Sequence, residues 1–217
     1  IPRAEMLFIV ERIARALAVP VTADMEAGYS TTPEGAAETA QAVIAAGAVG
    51  MNFEDSTGNA QAPLFDLSLQ VERIKAIRLA CASSGVPLVL NARTDVFLEQ
   101  VGDPPSRFDH AVRRANAYRE AGADSLFVPG VSDRDVIARL VREIHGPVNI
   151  LAVAGSPSVP ELLRLGVSRV SVGSGPHRAT MALTRRIATE LLATGRYSSF
   201  TQDTITYAEA NELFKRA

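Results

Sequence analysis

Three short segments hold the side chains of this chain that could do chemistry together: Asp24-Met25-Glu26-Ala27-Gly28-Tyr29-Ser30, Asn52-Phe53-Glu54-Asp55-Ser56 and Asn91-Ala92-Arg93-Thr94-Asp95. Asp24 and Glu26 stand two apart at the end of an expected strand, so their side chains point the same way. Two carboxylates held together without a nearby Lys repel each other unless a cation or a proton sits between them. Hard oxygen ligands with room for water suit Mg²⁺ or Mn²⁺. Glu54 is a third carboxylate at the next strand end. Arg93, at the one after, supplies a planar fork of donors for a carboxylate or phosphoryl group. Gly28 lets the chain turn sharply, and Gly28 and Tyr29 join Arg93 as the expected substrate-binding set. Such a site suits a small anionic substrate whose oxygens chelate the metal. Each residue also has a plainer reading. Asp24 could cap a helix, Glu54-Asp55 could be a solvated loop pair, and Arg93-x-Asp95 could be a local salt bridge. Their recurrence at corresponding places of consecutive units favours one shared site.

The elements that must position these residues alternate helix and strand. Met6, Leu7, Ile9, Val10, Ile13 and Leu17 recur at helical spacing over 3–18. Apolar strands are expected at 19–23, 49–53, 87–92, 125–128, 148–153 and 169–172. The helices between them are expected to start at Thr32-Pro33, near Asp66, near Ser106, at a Ser132-x-x-Asp135 capping box and near Pro160. A long helix over 176–193 follows. Three joins repeat a glycine before the next strand, at Gly47, Gly122 and Gly166, where a left-handed residue ends a helix. Repeated βα units imply a parallel sheet. The strands read as apolar on both faces, the mark of a sheet covered by helices. Polar residues at several adjacent strand ends favour a closed barrel over an open sheet. Six strands are legible where a (β/α)8 TIM-type barrel needs eight. The chain opens Ile1-Pro2-Arg3, so one or two βα units are expected to precede it. The barrel domain is expected over 1–195, and 196–217 as an extension. Its Ile205, Tyr207, Leu213 and Phe214 suggest a short helix packed on the domain or on a neighbouring subunit.

Composition narrows the partners. Of 217 residues, 47% are hydrophobic and 21% charged, with a formal net charge of −2 and no block of like charges. That argues against nucleic acid or an anionic membrane as the partner. No apolar run suggests a membrane span. The single cysteine, Cys81, fits a reducing, cytoplasmic setting, and its spacing with Ile77 makes it a core residue. His110 and His145 read as structural, and so does Asn149. Gly173-Ser174-Gly175, before His177, reads as a tight turn rather than an anion site.

Taken in order, the three segments, together with Pro147-Val148-Asn149-Ile150 and Arg169-Val170-Ser171-Val172-Gly173, resemble the isocitrate lyase / phosphoenolpyruvate mutase superfamily. The resemblance covers almost the whole chain. It implies a (β/α)8 barrel, commonly a homotetramer with the eighth helix swapped between partners. It implies Mg²⁺ held by the residues matching Asp24, Glu26 and Glu54, several through water, and a substrate carboxylate or phosphonate held by the one matching Arg93. It implies cleavage or rearrangement of a C–C or P–C bond beside an oxo acid, through an enolate-like oxyanion stabilised by the metal. Three departures stand out. Glu26 replaces an Asp found in many members. The loop 55–63, Asp-Ser-Thr-Gly-Asn-Ala-Gln-Ala-Pro, lacks the Lys-Lys/Arg-Cys-Gly segment of the isocitrate and methylisocitrate lyases, which disfavours action on their substrates. The family's first two strands fall outside the sequence. A phosphonomutase, a phosphonopyruvate hydrolase and an oxaloacetate-type decarboxylase all fit, and a non-catalytic anion-binding or assembly barrel is the contrasting expectation. The replaced loop is expected to gate the site, with Asn59 as its candidate catalytic side chain.

Overall fold

Local signals set most element boundaries in the computed structural model, which describes residues 1–215. Helix α1 (Arg3–Ala16) leads to strand β1 (Thr22–Asp24), shorter and later than the apolar run suggested. Thr32 caps α2 (Pro33–Ala45) by accepting from the Gly35 N–H at 3.1 Å. Strand β2 (Gly50–Glu54) follows, then α3 (Leu67–Ser84), capped by Asp66, and β3 (Val89–Arg93). Next come α4 (Arg107–Glu120), β4 (Ser125–Val128), α5 (Arg134–Glu143) and β5 (Val148–Leu151). Helix α6 (Val159–Arg164) and β6 (Arg169–Ser171) complete the alternation. The expected Ser132 cap of α5 is corrected: Asp133 accepts from the Asp135 and Val136 amides at 3.0 and 2.9 Å. A carboxylate is the stronger acceptor and also meets the helix dipole. The three repeated join glycines all adopt positive φ, 88° at Gly47, 110° at Gly122 and 93° at Gly166.

The six strands pair in parallel in chain order, β1 to β6, as the curled wall of a TIM-type barrel. Register sets Asp24 beside Asn52, Asn52 beside Asn91, and Glu54 beside Arg93. Ala23, Met51, Phe53, Leu90, Ala92, Leu126, Val128, Val148 and Ile150 are buried in the main core with Ala36, Ala40, Ile74, Ile77, Ala111, Ala115, Ile137 and Leu140 of the helices. The alternate strand residues face the other way, and most are polar: Asp24, Asn52, Glu54, Asn91, Arg93, Ser125, Asn149 and Ser171. The expectation of strands apolar on both faces is therefore corrected. In strands of three to five residues, a few apolar positions on the helix side read as a continuous run.

Residues pack as two compact units, Ile1–Ser171 and Val172–Ala217. Within the second, α7 (Gly175–Thr194) is followed by a 3-10 turn at Ser198–Phe200 and by α8 (Tyr207–Glu212). Glu190 of α7 holds the turn, accepting from the Ser199 amide at 2.8 Å. No helix among the described residues is long and apolar enough to cross a membrane.

Candidate active site

The segment after β1 is a strained loop in which every carbonyl from Met25 to Gly28 is engaged. Glu26, Gly28 and Tyr29 all have positive φ, at 49°, 77° and 55°. Non-glycine residues in that region cluster at functional sites, where surrounding contacts hold them. The Gly28 amide donates to Met25 O at 2.8 Å, and the Glu54 amide to Glu26 O at 2.9 Å. Thr39 Oγ1 donates to Gly28 O at 2.8 Å. Arg73 of α3 donates to Ala27 O, and to Ser30 O at 2.7 Å. Glu26 thus lies beyond the strand, in a left-handed turn. It still shares the open side with Asp24, because Met25 between them is fully buried. Gly28 is required twice over: its φ suits glycine, and a Cβ would stand 2.7 Å from Phe53 Cε2.

Glu54 and Arg93, register neighbours on the inner face, form an ion pair of 2.8 Å, with side chains 15% and 17% exposed. Asp95 grips the same guanidinium from the other side, at 2.6 Å to Nε and 2.9 Å to Nη2. The local salt bridge and the shared site are therefore both present. Two of the five Arg93 donors are hydrogen-bonded to Asp95 while Nη1 sits against Glu54, and its plane is fixed. Burial pulls its pKa down, but Asp95, Glu54 and Asp24 hold it above the ordinary value. Burial pushes Glu54 up to about 7; Arg93 opposes the rise, and Asp95, Asp24 and Glu26 add to it. Burial also raises Tyr29, with Glu26 and Asp24 adding, so its ring lies in the field of the acid pair.

Behind this front sits a buried frame that sequence reading missed. Asp55 is fully buried. It accepts from Arg114 Nε at 2.7 Å, from the Tyr118 hydroxyl at 2.5 Å and from the Asp95 amide at 2.9 Å. It therefore joins β2, the loop after β3 and α4, and it fixes the residue that orients Arg93. Arg73 is also fully buried, stacked on Phe53 and Phe65 at 4.7 and 4.1 Å. No charged partner bonds to it among the described residues, and burial lowers its pKa to about 10. Gln70, bonded to Arg73, donates to Glu54 O at 3.1 Å. Among the described residues, four buried side-chain atoms lack partners: Tyr29 OH, Arg73 Nε, Asn91 Oδ1 and Thr94 Oγ1. All four belong to the site segments or their support, which is where unsatisfied groups have functional meaning.

The expected site residues separate into two groups. Asp24, Glu26, Glu54, Arg93, Gly28 and Tyr29 come together in these two linked loops and strand ends. Asn59 does not join them by any hydrogen bond. It is exposed at the tip of the 56–64 loop, where its Oδ1 accepts from the Gln61 amide at 3.0 Å. That loop closes on itself through the Ser56–Leu64 bridge and a 2.9 Å bond from the Thr57 amide to Pro63 O. Cys81 is a buried core residue, as expected. Asn149 is buried and bonded to Ser171 Oγ at 3.1 Å.

The donor set fits a hydrated divalent cation. The Asp24 and Glu26 carboxylates have no ion-pair or hydrogen-bond partner among the described residues, and the third acid carries a raised pKa. No group of three His, Cys, Asp or Glu side chains among the described residues is set to hold an ion by itself. One direct carboxylate with water completing the shell is the arrangement Mg²⁺ prefers over an all-protein cage.

A parallel α/β barrel wall with acids and an arginine at its strand ends defines a class of barrel enzyme folds. Residues 1–192 match the phosphoenolpyruvate phosphomutase family model, and the chain belongs to that family. It is 30% identical over 190 residues to an oxaloacetate decarboxylase of Rhodopseudomonas palustris (strain BisA53), covering 85% of this chain and 62% of that protein. The curated relatives it matches are longer, and the chain spans 56% to 62% of the length of the first of them. A crystal structure from Burkholderia cenocepacia J2315 superposes with a TM-score of 0.92 at 38% identity, covering 99% of this chain and 76% of that one. A phosphonopyruvate hydrolase complexed with oxalate and Mg²⁺ shares the fold, with a TM-score of 0.81 at 24% identity over 98% of this chain and 75% of that one.

Proposed function

We propose that this chain carries the metal and substrate site of a Mg²⁺-dependent enzyme that cleaves or rearranges a C–C or P–C bond of a small 2-oxo acid. The observation that carries this reading is the meeting of the uncompensated Asp24–Glu26 pair with the buried Glu54–Arg93–Asp95 cluster. Asp24 is the direct ligand in this reading, and Glu26 and Glu54 hold metal-bound waters. Bound there, Mg²⁺ supplies Lewis-acid stabilisation of an enolate-like oxyanion. Arg93 keeps its Nη1 donors and one on Nη2 for the substrate anion, and a bound anion competes with Glu54 for the Nη1 side of the fork. Asp95 keeps the fork oriented meanwhile. Tyr29 and Gly28 border the acid pair. The 56–63 loop is the gate, with Asn59 at its tip. The relatives named oxaloacetate decarboxylase, and the absence of cysteine from that loop, favour oxaloacetate-type C–C chemistry over isocitrate-type cleavage.

A homo-oligomer belongs to the same proposal. Exposed Leu192, Tyr207 and Phe214 in the C-terminal unit support contact with another chain. Turnover of oxaloacetate, phosphonopyruvate and methylisocitrate, with Mg²⁺ and with chelator, tests the reading. Turnover that survives chelation would overturn it, as would failure of the protein to bind Mg²⁺.

A further inference from the structure

Arg73 of α3 spends its charge on backbone carbonyls, not on an acid. It is fully buried, and among the described residues no carboxylate bonds to it. Burial lowers its pKa only to about 10, so it is charged at neutral pH. Its Nη2 donates to Ala27 O, and to Ser30 O at 2.7 Å, and its Nη1 donates to Gln70 Oε1 at 2.5 Å. No other donor among the described residues reaches either carbonyl. Those two carbonyls bracket Gly28 and Tyr29 and come directly after Glu26, and Glu26 and Tyr29 hold positive φ of 49° and 55°. Residues other than glycine stay in that region only where their surroundings hold them. The guanidinium lies against the Phe53 ring at 4.7 Å and the Phe65 ring at 4.1 Å, so packing sets its plane and the direction of its donors. Gln70 continues the contacts, donating to Glu54 O at 3.1 Å. One buried cation thus ties the loop that carries Glu26 to the strand end that carries Glu54. Filling the core would ask for less: an apolar side chain against the two rings avoids burying a charge.

Resting on the proposed Mg²⁺ reading, we infer that Arg73 is a positioning residue: through the Ala27 and Ser30 carbonyls it holds the 25–30 loop in the shape that keeps Glu26 on the open side with Asp24, and so sets the affinity for the cation. The sign of its effect separates this role from a charge effect. A fixed positive charge disfavours a second cation nearby, so on charge alone removing Arg73 would tighten Mg²⁺ binding. Removing a support weakens it.

Arg73→Met makes the test, because it keeps an unbranched stem against the rings and drops the guanidinium. In calorimetry of the full chain it should bind Mg²⁺ at least tenfold more weakly than the unaltered protein. Without metal, its Gly28 and Glu54 amides, which donate to Met25 O and Glu26 O, should exchange with deuterium at rates raised at least tenfold more than those of Leu126 and Ile150 in β4 and β5. Ile137→Val, a change in the buried core on α5, should lower the melting temperature and leave Mg²⁺ affinity within twofold. A loss of affinity under tenfold in Arg73→Met, or tighter binding, would overturn the positioning role. So would amide exchange that speeds up evenly along the chain, or an equal loss of affinity in Ile137→Val, since either would mark Arg73 as a contributor to global stability only. If Arg73→Met fails to fold, Arg73→Lys, which keeps the charge and loses the fork, carries the same comparisons with a threefold threshold. Failure of both to fold marks Arg73 as a core residue and ends the role. An unaltered protein that binds no Mg²⁺ defeats the proposed function itself, and this role with it. One that binds Mg²⁺, with an Arg73→Met variant that binds it as well, defeats the positioning role alone.

Discussion

At Gly28 a single hydrogen atom is all the space allows. The residue sits at φ 77°, with a Phe53 ring carbon 2.7 Å from where a Cβ would be. Ala there must strain the backbone and push the ring, which costs about 1–3 kcal/mol. Gly28→Ala should lower the denaturation midpoint in urea by a corresponding amount. An unchanged midpoint would show that the loop can relax. Arg93 makes a different point. Nε and Nη2 are spent on Asp95 at 2.6 and 2.9 Å, so its orientation is settled before any ligand arrives. Arg93→Lys keeps the charge but loses the fork. It should weaken Mg²⁺-dependent oxalate binding at least tenfold by calorimetry, and a change under twofold would remove Arg93 from the anion site.

Between elements, Asp55 is the tie. It joins the end of β2, the Asp95 amide and the Arg114 and Tyr118 side chains of α4. Asp55→Asn would leave the Arg114 charge buried without its counter-ion, a loss of about 3–5 kcal/mol where one partner of a buried pair is removed. Urea unfolding checks this; a loss under about 1 kcal/mol would show that Arg114 finds compensation elsewhere. In the C-terminal unit, hydrogen bonds from Ser198 and Ser199 hold Glu190 down at about 2, against an ordinary 4.5. A carboxylate depressed on folding contributes stability above its unfolded value and loses it as pH falls through the folded one. The Ser199 amide should therefore keep its NMR shift through pH 4.5 and titrate with a midpoint near 2. Titration centred at 4.5 would mean that the contact does not form in solution.

In the proposed reading only the folded chain binds Mg²⁺, because the parallel register is what brings the strand ends carrying Asp24 and Glu54 together. At a Mg²⁺ concentration about a hundredfold above its Kd, unfolding should cost about 2.7 kcal/mol more. Asp24→Asn should show no such gain at the same concentration. Equal gains would place the cation elsewhere. The polar inner face has a matching consequence: most of the sheet's apolar burial lies on the helix side, where Phe53, Ile74, Ile77, Leu90 and Leu126 are fully buried.

The Thr32 cap, the glycine joins and the acid-bearing strand ends were legible because each depends on a few neighbouring residues. Thr32 caps the amide three positions on, and Asp24, Glu54 and Arg93 stand where their apolar runs stop. The sequence by itself thus determined the βα alternation and the residues that crowd its strand ends. Only the tertiary structure decided which charges pair. It gives Glu54 to Arg93, buries Asp55 against a helix 59 residues away and sets Asn52 on Asn91 across 39 residues. Those contacts depend on register and on exclusion of water, and neither is encoded in the spacing of a single segment.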